Sequence, residues 1–352
     1  MNHLDLFSGI GGFSLGLKQA GVEPAWIGYS DIDKHANQLF KRRFPNAKEL
    51  GSITTIQPKN LPKIDLITFG FPCQDLSIAG KRGGLSANRS GLFFKAIEII
   101  EAKKPKYFIF ENVKGIFSSN GGKDFDVVLR TISNIGYDGQ WELCNTRWYL
   151  PQNRERVYFV GHIRGESRPK VFPLGESDEK IKDIQGQYTN TLKARYEAIG
   201  DGSYIIEGEL NAQKKGLNQI ANDTTCAKTI KNGGGMGAKA GLYKIPEATS
   251  KGYSIAEEGD SINLSQPASK TRRGRVGKGV AQTLDTGMQQ YTIQSGIRRL
   301  TPTECERLQG FPDGWTDEQS DTQRYKQLGN AVSVPVVKAI MERLYKGESN
   351  AK

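Results

Sequence analysis

Asp5-Leu6-Phe7-Ser8-Gly9-Ile10-Gly11-Gly12-Phe13 runs from an apolar, strand-like segment through a cluster of glycines into a helical pattern. Glycines at such a junction permit close backbone approach, and the free N–H groups of a helix start suit a nucleotide-like ligand. Further on, Tyr29-Ser30-Asp31 ends a second strand-like run with a carboxylate placed to accept hydrogen bonds from ribose hydroxyls. The glycine spacing is not G-x-G-x-x-G, and Asp5 precedes the turn. On these residues alone a cofactor loop and a purely structural tight turn both remain open.

Outward from this stretch the chain alternates short apolar runs with amphipathic ones. Leu4–Phe7, Ala25–Tyr29, Leu66–Phe69, Tyr107–Phe110 and Arg156–Gly161 read as strands, with helices over Phe13–Ala20, His35–Phe44, Gly91–Ala102 and Asp126–Ile135. That alternation predicts an α/β fold, a Rossmann-like and mostly parallel sheet with helices on both faces. After Pro173 the periodicity fades, and 18 of the 41 glycines fall between 173 and 297. The expectation there is a smaller, irregular, β-rich domain of short strands and turns. Helical order returns with Thr301–Gln309, started by Thr301 and Pro302, and with a last helix from Val334 to Tyr345. The division expected is 1–172, 173–297 and 298–352, the last packing back on the first.

The chain has 352 residues and a formal net charge of +11, enough to attract polyanions, of which nucleic acid is the commonest. Cys73, Cys144, Cys226 and Cys305 show no C-x-x-C pairing, so neither a zinc site nor a disulfide framework is expected and a reducing compartment fits. No apolar stretch approaches the length of a spanning helix and no basic leader opens the chain. A cytoplasmic protein without membrane attachment is expected.

Gly70-Phe71-Pro72-Cys73-Gln74 follows an apolar run, where a parallel strand ends and ligands are met. Buried and inert is the ordinary fate of a cysteine, but the stiff Pro72 and the polar neighbours suit a reachable sulfur equally well. Together with Glu111-Asn112-Val113, Gln152-Asn153-Arg154-Glu155-Arg156, Arg299-Leu300-Thr301-Pro302 and Gln327-Leu328-Gly329-Asn330-Ala331-Val332, in that order after the glycine stretch, this segment resembles the C5-cytosine DNA methyltransferase family of bacterial or phage type.

The resemblance implies a methyl transfer from S-adenosylmethionine to carbon 5 of cytosine, leaving S-adenosylhomocysteine. It also explains the residue types. Carbon 5 is a poor nucleophile until a thiolate, here from Cys73, adds to carbon 6 and makes the ring an enamine. A free thiol with a pKa of about 8.5 is only slightly ionised at neutral pH, so a neighbouring positive charge or helix start should lower it. Glu111 would share a proton with ring N3 and hold the exocyclic amine. Arg154 is the expected partner of the cytosine O2, with Arg156 as a second polar support or salt-bridge partner. No metal is required. The implied cofactor pocket comprises Phe7, Ser8, Gly9, Gly11 and Gly12 around the methionine part, Asp31 at the ribose, Ile32 against adenine, and Pro72, Asn330 and Val332. One departure stands out: where the family has aspartate near the adenine amine, this chain has Gly51-Ser52-Ile53. Ser52 would make a weaker or water-mediated contact.

A cytosine within a duplex is out of reach of Cys73, so the base must be flipped out. Gln74, Ser77, Lys81, Arg82 and Arg89 are the expected contacts around the gap, on a glycine-rich loop able to close. By position, 173–297 resembles the family's target-recognition domain. Its basic stretch Lys270, Arg272, Arg273 and Arg275 suits a DNA backbone or guanine edges, with a solvated loop as the bland alternative. Double-stranded DNA, a separately acting companion restriction endonuclease, a monomeric state and a nucleoid-associated location in a prokaryote or phage-infected cell complete the expectation. A tRNA cytosine-5 methyltransferase is the rival substrate reading, although that branch usually lacks the residue matching Phe71 and needs no long variable region. A catalytically silent DNA-binding relative is disfavoured by the joint presence of Cys73, Glu111 and Arg154. An unrelated thiol enzyme is disfavoured by the Asn330 segment.

Overall fold

The computed structural model describes residues 1–72, 91–166, 169–174, 205–206, 242–266, 269, 271–287, 289–294 and 297–349. Its main sheet uses β1 (Asn2–Leu6), β2 (Trp26–Ser30), β3 (Lys48–Glu49), β4 (Leu66–Gly70), β5 (Tyr107–Val113), β6 (Tyr137–Asn145) and β8 (Glu155–Ile163), while β7 (Gln152–Asn153) lies outside it. The strand order is β3-β2-β1-β4-β5-β8-β6. The first five strands run parallel, and β8 is antiparallel to both β5 and β6. The sheet is therefore mostly parallel, as expected, with an antiparallel hairpin at one edge. The chain leaves β1 towards β2 on one side and later returns as β4 on the other. The crevice beyond the carboxyl end of β1 is thus the switch point at which such sheets bind ligands.

Helices cover both faces: α1 (Gly12–Gln19), α2 (Lys34–Arg43), α3 (Leu92–Lys103), α4 (Lys123–Asn134), and after the small strands α5 (Pro302–Gln309), α6 (Asp321–Asn330) and α7 (Val334–Ser349). Local chemistry sets several of their ends. The Asp33 side chain accepts from the His35 and Ala36 amides to start α2, which ends on Lys41, Arg42 and Arg43 against its dipole. Thr301 and Glu304 form a reciprocal capping box on α5.

Alternation along each strand divides the core. Phe108 and Phe110 of β5 join Phe69, Phe71, Phe93 and Phe159 on one face, under α3 and α4. Tyr107 and Ile109 join Phe13, Leu17, Val336, Ile340 and Met341 on the other, where α1 meets α7. That helix pair packs so closely that a Cβ at Gly16 would stand 2.5 Å from Val337 Cγ1. A third cluster sets Ile10 and Leu15 against Phe311, Trp315, Leu328 and Val334. The C-terminal segment therefore rests directly on the glycine turn.

The 242–299 region forms small sheets. The strand order β11-β10-β9 uses Tyr253–Ala256, Leu242–Pro246 and Ile205–Ile206, and β13-β12-β15-β16 uses Val276–Gly277, Ser261–Asn263, Gln290–Ile293 and Ile297–Arg299. A short strand β14 (Ala281–Gln282) pairs with β7 and ties this region to the segment that leads into β8. No helix of the described residues is long and apolar enough to cross a membrane.

A polar chain crosses the heart of the sheet. His3 Nε2 lies 2.8 Å from Thr68 Oγ1, which donates to Asp5 Oδ1 at 2.9 Å, while Ser14 Oγ donates to Asp5 Oδ2 at 2.7 Å. Burial lowers the His3 imidazole to about 3 and raises the Asp5 carboxyl to about 7, against the opposing hydrogen bonds of Ser14 and Thr68. Both groups are neutral in the fold at intermediate pH. In the unfolded chain, with ordinary values of 6.5 and 3.8, they carry opposite charges, so the two proton inventories balance and the pair adds almost no slope of stability with pH. Single substitutions should uncover two opposite slopes. Asp5→Asn leaves His3, whose depressed value makes stability fall as pH drops from 6.5 towards 3. His3→Gln leaves Asp5, whose raised value makes stability fall as pH climbs from 3.8 towards 7. Urea unfolding of both variants between about pH 4 and 6 checks this, and slopes of one sign would refute it.

Candidate active site

A cavity of about 700 Å³ opens at the switch point, within the range that holds a nucleoside-sized ligand. Its walls come from the glycine turn, the β2–α2 junction, residues 52–54, the ends of β4 and β5, Leu92, Arg154 and Arg156, and the residues from Lys326 to Val332.

The glycine turn is held in an unusual conformation. Phe7 (φ 53), Gly9 (φ 50) and Gly11 (φ 84) all take positive φ, which for Phe7 is a cost that the surroundings must offset. Gly9 N donates to Asp31 Oδ2 at 2.8 Å, and Asp33 N donates to Asp31 Oδ1 at 2.8 Å. Each carboxylate oxygen thus spends one lone pair on the backbone and keeps another facing the cavity. Beside it Ile32 is 84% exposed and lines the cavity, a bare apolar surface in an otherwise well-packed wall. Ser8 Oγ is buried with no hydrogen-bond partner among the described residues. Ser52 caps a short 3-10 turn, its hydroxyl accepting from Thr54 N, and also lines the cavity. Phe7, Ser8, Gly9, Gly12, Asp31, Ile32, Ser52, Pro72, Asn330 and Val332 all line this one cavity. Gly11 does not line it. A Cβ there would come 2.7 Å from the Phe44 ring, so the residue shapes the turn from behind.

The polar end of the cavity is built by strand register. Glu111 pairs with Gly70 of β4 on one side and Tyr158 of β8 on the other. Its Oε1 lies 3.0 Å from Arg156 Nε and 3.9 Å from Arg154 Nη2, and its Oε2 faces the Cβ position of Gly70 at 3.6 Å. Next to it, Asn112 Nδ2 donates to Phe71 O at 3.1 Å and pins the end of β4 to β5. The sequence reading assigned Arg154 to the pyrimidine carbonyl, with Arg156 as support. Their surroundings differ. Arg154 is 2% exposed and donates to Ala331 O at 2.8 Å and Gly329 O at 3.4 Å, carbonyls from the other end of the chain. Burial first, then Arg156, pull its guanidinium down to about 10, with Glu111 pulling the other way, and it stays a cation at ordinary pH. Arg156 is the more open of the two and is the direct partner of Glu111.

Cys73, Gln74, Ser77, Lys81, Arg82, Arg89 and Lys270 lie outside the described residues. Residues 70–72, immediately before Cys73, line the cavity together with Glu111. In the small domain one expectation is corrected. Arg275 is 1% exposed, its backbone N–H donates to Glu247 Oε1, and its Nη2 donates to the Gln266 and Ser269 carbonyls. A side chain so enclosed holds the loop together instead of reaching DNA. Arg273 is exposed, though its Nε donates to Ala248 O, and Arg272 is half-buried. Sequence reasoning missed Asp33, Lys326 and Asn112 as parts of the site. A helix-capping aspartate directly after Asp31-Ile32, and a lysine directly before Gln327-Leu328-Gly329-Asn330, were the available signals.

Gly11→Ala should lower stability by at least about 1 kcal/mol, because alanine at positive φ is strained and here also meets Phe44. Denaturant melts of the ligand-free protein measure it.

The family model for C-5 cytosine-specific DNA methylases matches residues 1–346. Among curated proteins the chain is 34% identical over 354 residues to the type II methyltransferase M.NgoBI of Neisseria gonorrhoeae, covering 99% of this chain and 95% of the other. It is 33% identical to the type II methyltransferase M.HaeII of Haemophilus aegyptius, covering 96% and 90%. Among solved structures, the Dnmt2 methyltransferase of S. pombe superposes with a TM-score of 0.59 over 98% of both chains at 18% identity, a likeness of architecture.

Proposed function

The chain belongs to the C-5 cytosine-specific DNA methylase family, and from that premise we infer how its own residues carry out methylation of carbon 5 of cytosine in DNA. The observation that carries the reading is the convergence of Glu111, Arg154 and Arg156 with the glycine turn and the Asn330 segment on one cavity.

S-adenosylmethionine, when bound, supplies an electrophilic methyl group on a sulfonium. The wall fits it. The remaining lone pairs of Asp31 suit ribose hydroxyls, the exposed face of Ile32 suits adenine, and the unpartnered Ser8 hydroxyl suits the amino-acid end. Ser52 lies where a weak polar contact to the adenine amine can be made, and Pro72, Asn330 and Val332 bound the remaining side.

At the polar end the cytosine enters flipped out of its duplex. The Cys73 thiolate adds to carbon 6, forming the C–S bond as the 5,6 double bond shifts its electrons towards N3. Glu111 shares its proton with N3 and accepts from the exocyclic amine, and Arg156, oriented by Glu111, meets O2. Carbon 5 then takes the methyl group. A water held in the site removes the carbon 5 proton, and the returning electrons expel the Cys73 thiolate. Arg154 contributes by position, fixing the backbone of Gly329–Ala331 against the catalytic strand.

Residues 173–297 serve as the target-recognition domain, between a catalytic part at 1–172 and a closing segment at 298–352. Arg272 and Arg273 offer cations for its DNA contacts, and Gln74, Ser77, Lys81, Arg82 and Arg89 contact DNA around the gap left by the flipped base. A monomer acts on double-stranded DNA in the cytoplasm, with a separate endonuclease sharing its site.

The two arginines should part company under substitution. Arg156→Met lowers kcat by at least about a hundredfold, as for removal of one oriented donor to developing charge, and costs less stability than Arg154→Met because it takes a partner from Glu111 but strands no buried carbonyl. Arg154→Met costs about 3 kcal/mol of stability, since it strands buried carbonyls and weakens the counter-charge of Glu111. Single-turnover kinetics and urea melts separate the two. The assignment itself is tested by nucleoside mass spectrometry on unmethylated DNA and on tRNA incubated with S-adenosylmethionine, beside Cys73→Ala. 5-Methylcytosine in DNA, dependent on Cys73, is expected, and product confined to tRNA would overturn the substrate.

A further inference from the structure

We propose that Lys326 and Asp33 form an ion-pair latch across the mouth of the cavity that positions Asp31 and sets how long the nucleoside end of the cofactor is held. This rests on the reading of that cavity as the S-adenosylmethionine site.

Lys326 stands on α6, in the segment that brings Asn330 to the cavity, and Asp33 stands at the start of α2. Lys326 Nζ lies 2.7 Å from Asp33 Oδ2, and both residues line the cavity. The contact continues inwards without a break: Asp33 N donates to Asp31 Oδ1, and Asp31 Oδ2 accepts from Gly9 N, both at 2.8 Å. A single chain of polar contacts therefore runs from the C-terminal wall through the carboxylate at the ribose position to the glycine turn. Burial would raise the Asp33 carboxyl, but the Lys326 ammonium and the Ala36 and His35 amides hold it below the ordinary range, so the pair is charged at neutral pH.

The latch is separable from the fold. Gln319 Nε2 donates to His35 O, and Gln327 Nε2 donates to Gln319 Oε1, joining the same two elements without Lys326. Arg43 donates to the Trp315 carbonyl nearby. The Lys326 side chain is 46% exposed against 25% for Asp33, so the bond can open to solvent while the walls stay in place. An ion pair this accessible is screened by salt.

The test uses the full chain and S-adenosylhomocysteine as probe, with affinity from calorimetry and dissociation from stopped flow, for wild type, Asp33→Asn, Lys326→Met, the double variant and Lys326→Arg. Asparagine keeps the helix cap, and ligand-free melting temperatures show whether each variant is folded. Each single loss should weaken binding about three- to fivefold, the value of a half-exposed pair, and speed dissociation. The double variant should lose no more than the worse single one, and Lys326→Arg should recover most of the affinity. Added salt should speed dissociation from wild type and leave the Lys326→Met rate nearly constant. Variants that bind like wild type, or losses that multiply in the double variant, overturn the latch alone. A wild type that binds no S-adenosylhomocysteine overturns the cofactor reading, and the latch with it.

Discussion

Arg154 places a guanidinium where no solvent reaches it and gives it the carbonyls of Gly329 and Ala331 as partners. A buried cation is tolerated when hydrogen bonds and a nearby opposite charge offset its desolvation; here the two carbonyls take the Nη donors, Glu111 stands at 3.9 Å, and Nε has no partner among the described residues. Glu111, the β7–β8 segment that carries both arginines and the Gly329–Ala331 backbone beside the cavity are thereby tied into one electrostatic unit. Separate any one and a charge or a pair of carbonyls is left without compensation in a low-dielectric interior.

The sheet supplies what this unit needs, a rigid frame with side chains alternating between faces. Tyr107, Ile109 and Glu111 share one face of β5, and β8 sets Arg156 and Tyr158 on the same side. Packing on the opposite face is dense and aromatic. Phe110, Phe159 and Trp141 stack at interplanar angles of 8° and 5°, with Gly139 and Gly161 leaving room beneath the rings. That layer fixes the height and tilt of the strands from below, and the polar groups above inherit their positions from it. The antiparallel hairpin matters here: β8 begins beside the end of β5, with Arg156 opposite Val113 and Arg154 just before the strand, and so both arginines reach the neighbourhood of Glu111.

Much of this was legible from residue order alone. Apolar runs ending in glycine, proline or a carboxylate marked β1, β2 and β4 to within two residues and the start of β5, which runs on three residues past Phe110, while the two-residue β3 went unmarked, and Thr301-Pro302 marked the start of α5. Edge strand β6 escaped because Asp138, Gln140, Glu142 and Asn145 interrupt its apolar pattern, as suits a strand with one side open to solvent. Helix α6 escaped because its polar sequence, Asp321-Thr-Gln-Arg-Tyr-Lys-Gln, buries few residues besides Tyr325, Gln327 and Leu328. The roles of the two arginines could not be read from spacing. Which one reaches solvent depends on the carbonyls of a segment more than 170 residues away. Arg275 teaches the same point: four neighbouring cations read as a surface, yet Glu247 and two backbone carbonyls hold one of them inside.

The packing of α7 and the Gly329–Val332 turn onto α1 and the glycine turn has a consequence for the order in which activity is born. During synthesis the chain emerges from its N-terminal side at about 5–20 residues per second, so the glycine turn, the sheet and Glu111 leave the ribosome well before residues 326–332 arrive. Until then Arg154 has no carbonyls to hold and the cavity lacks one wall. A nascent chain can thus display every strand of the sheet and still be unable to modify a genome, and competence arrives late, as a single closing step.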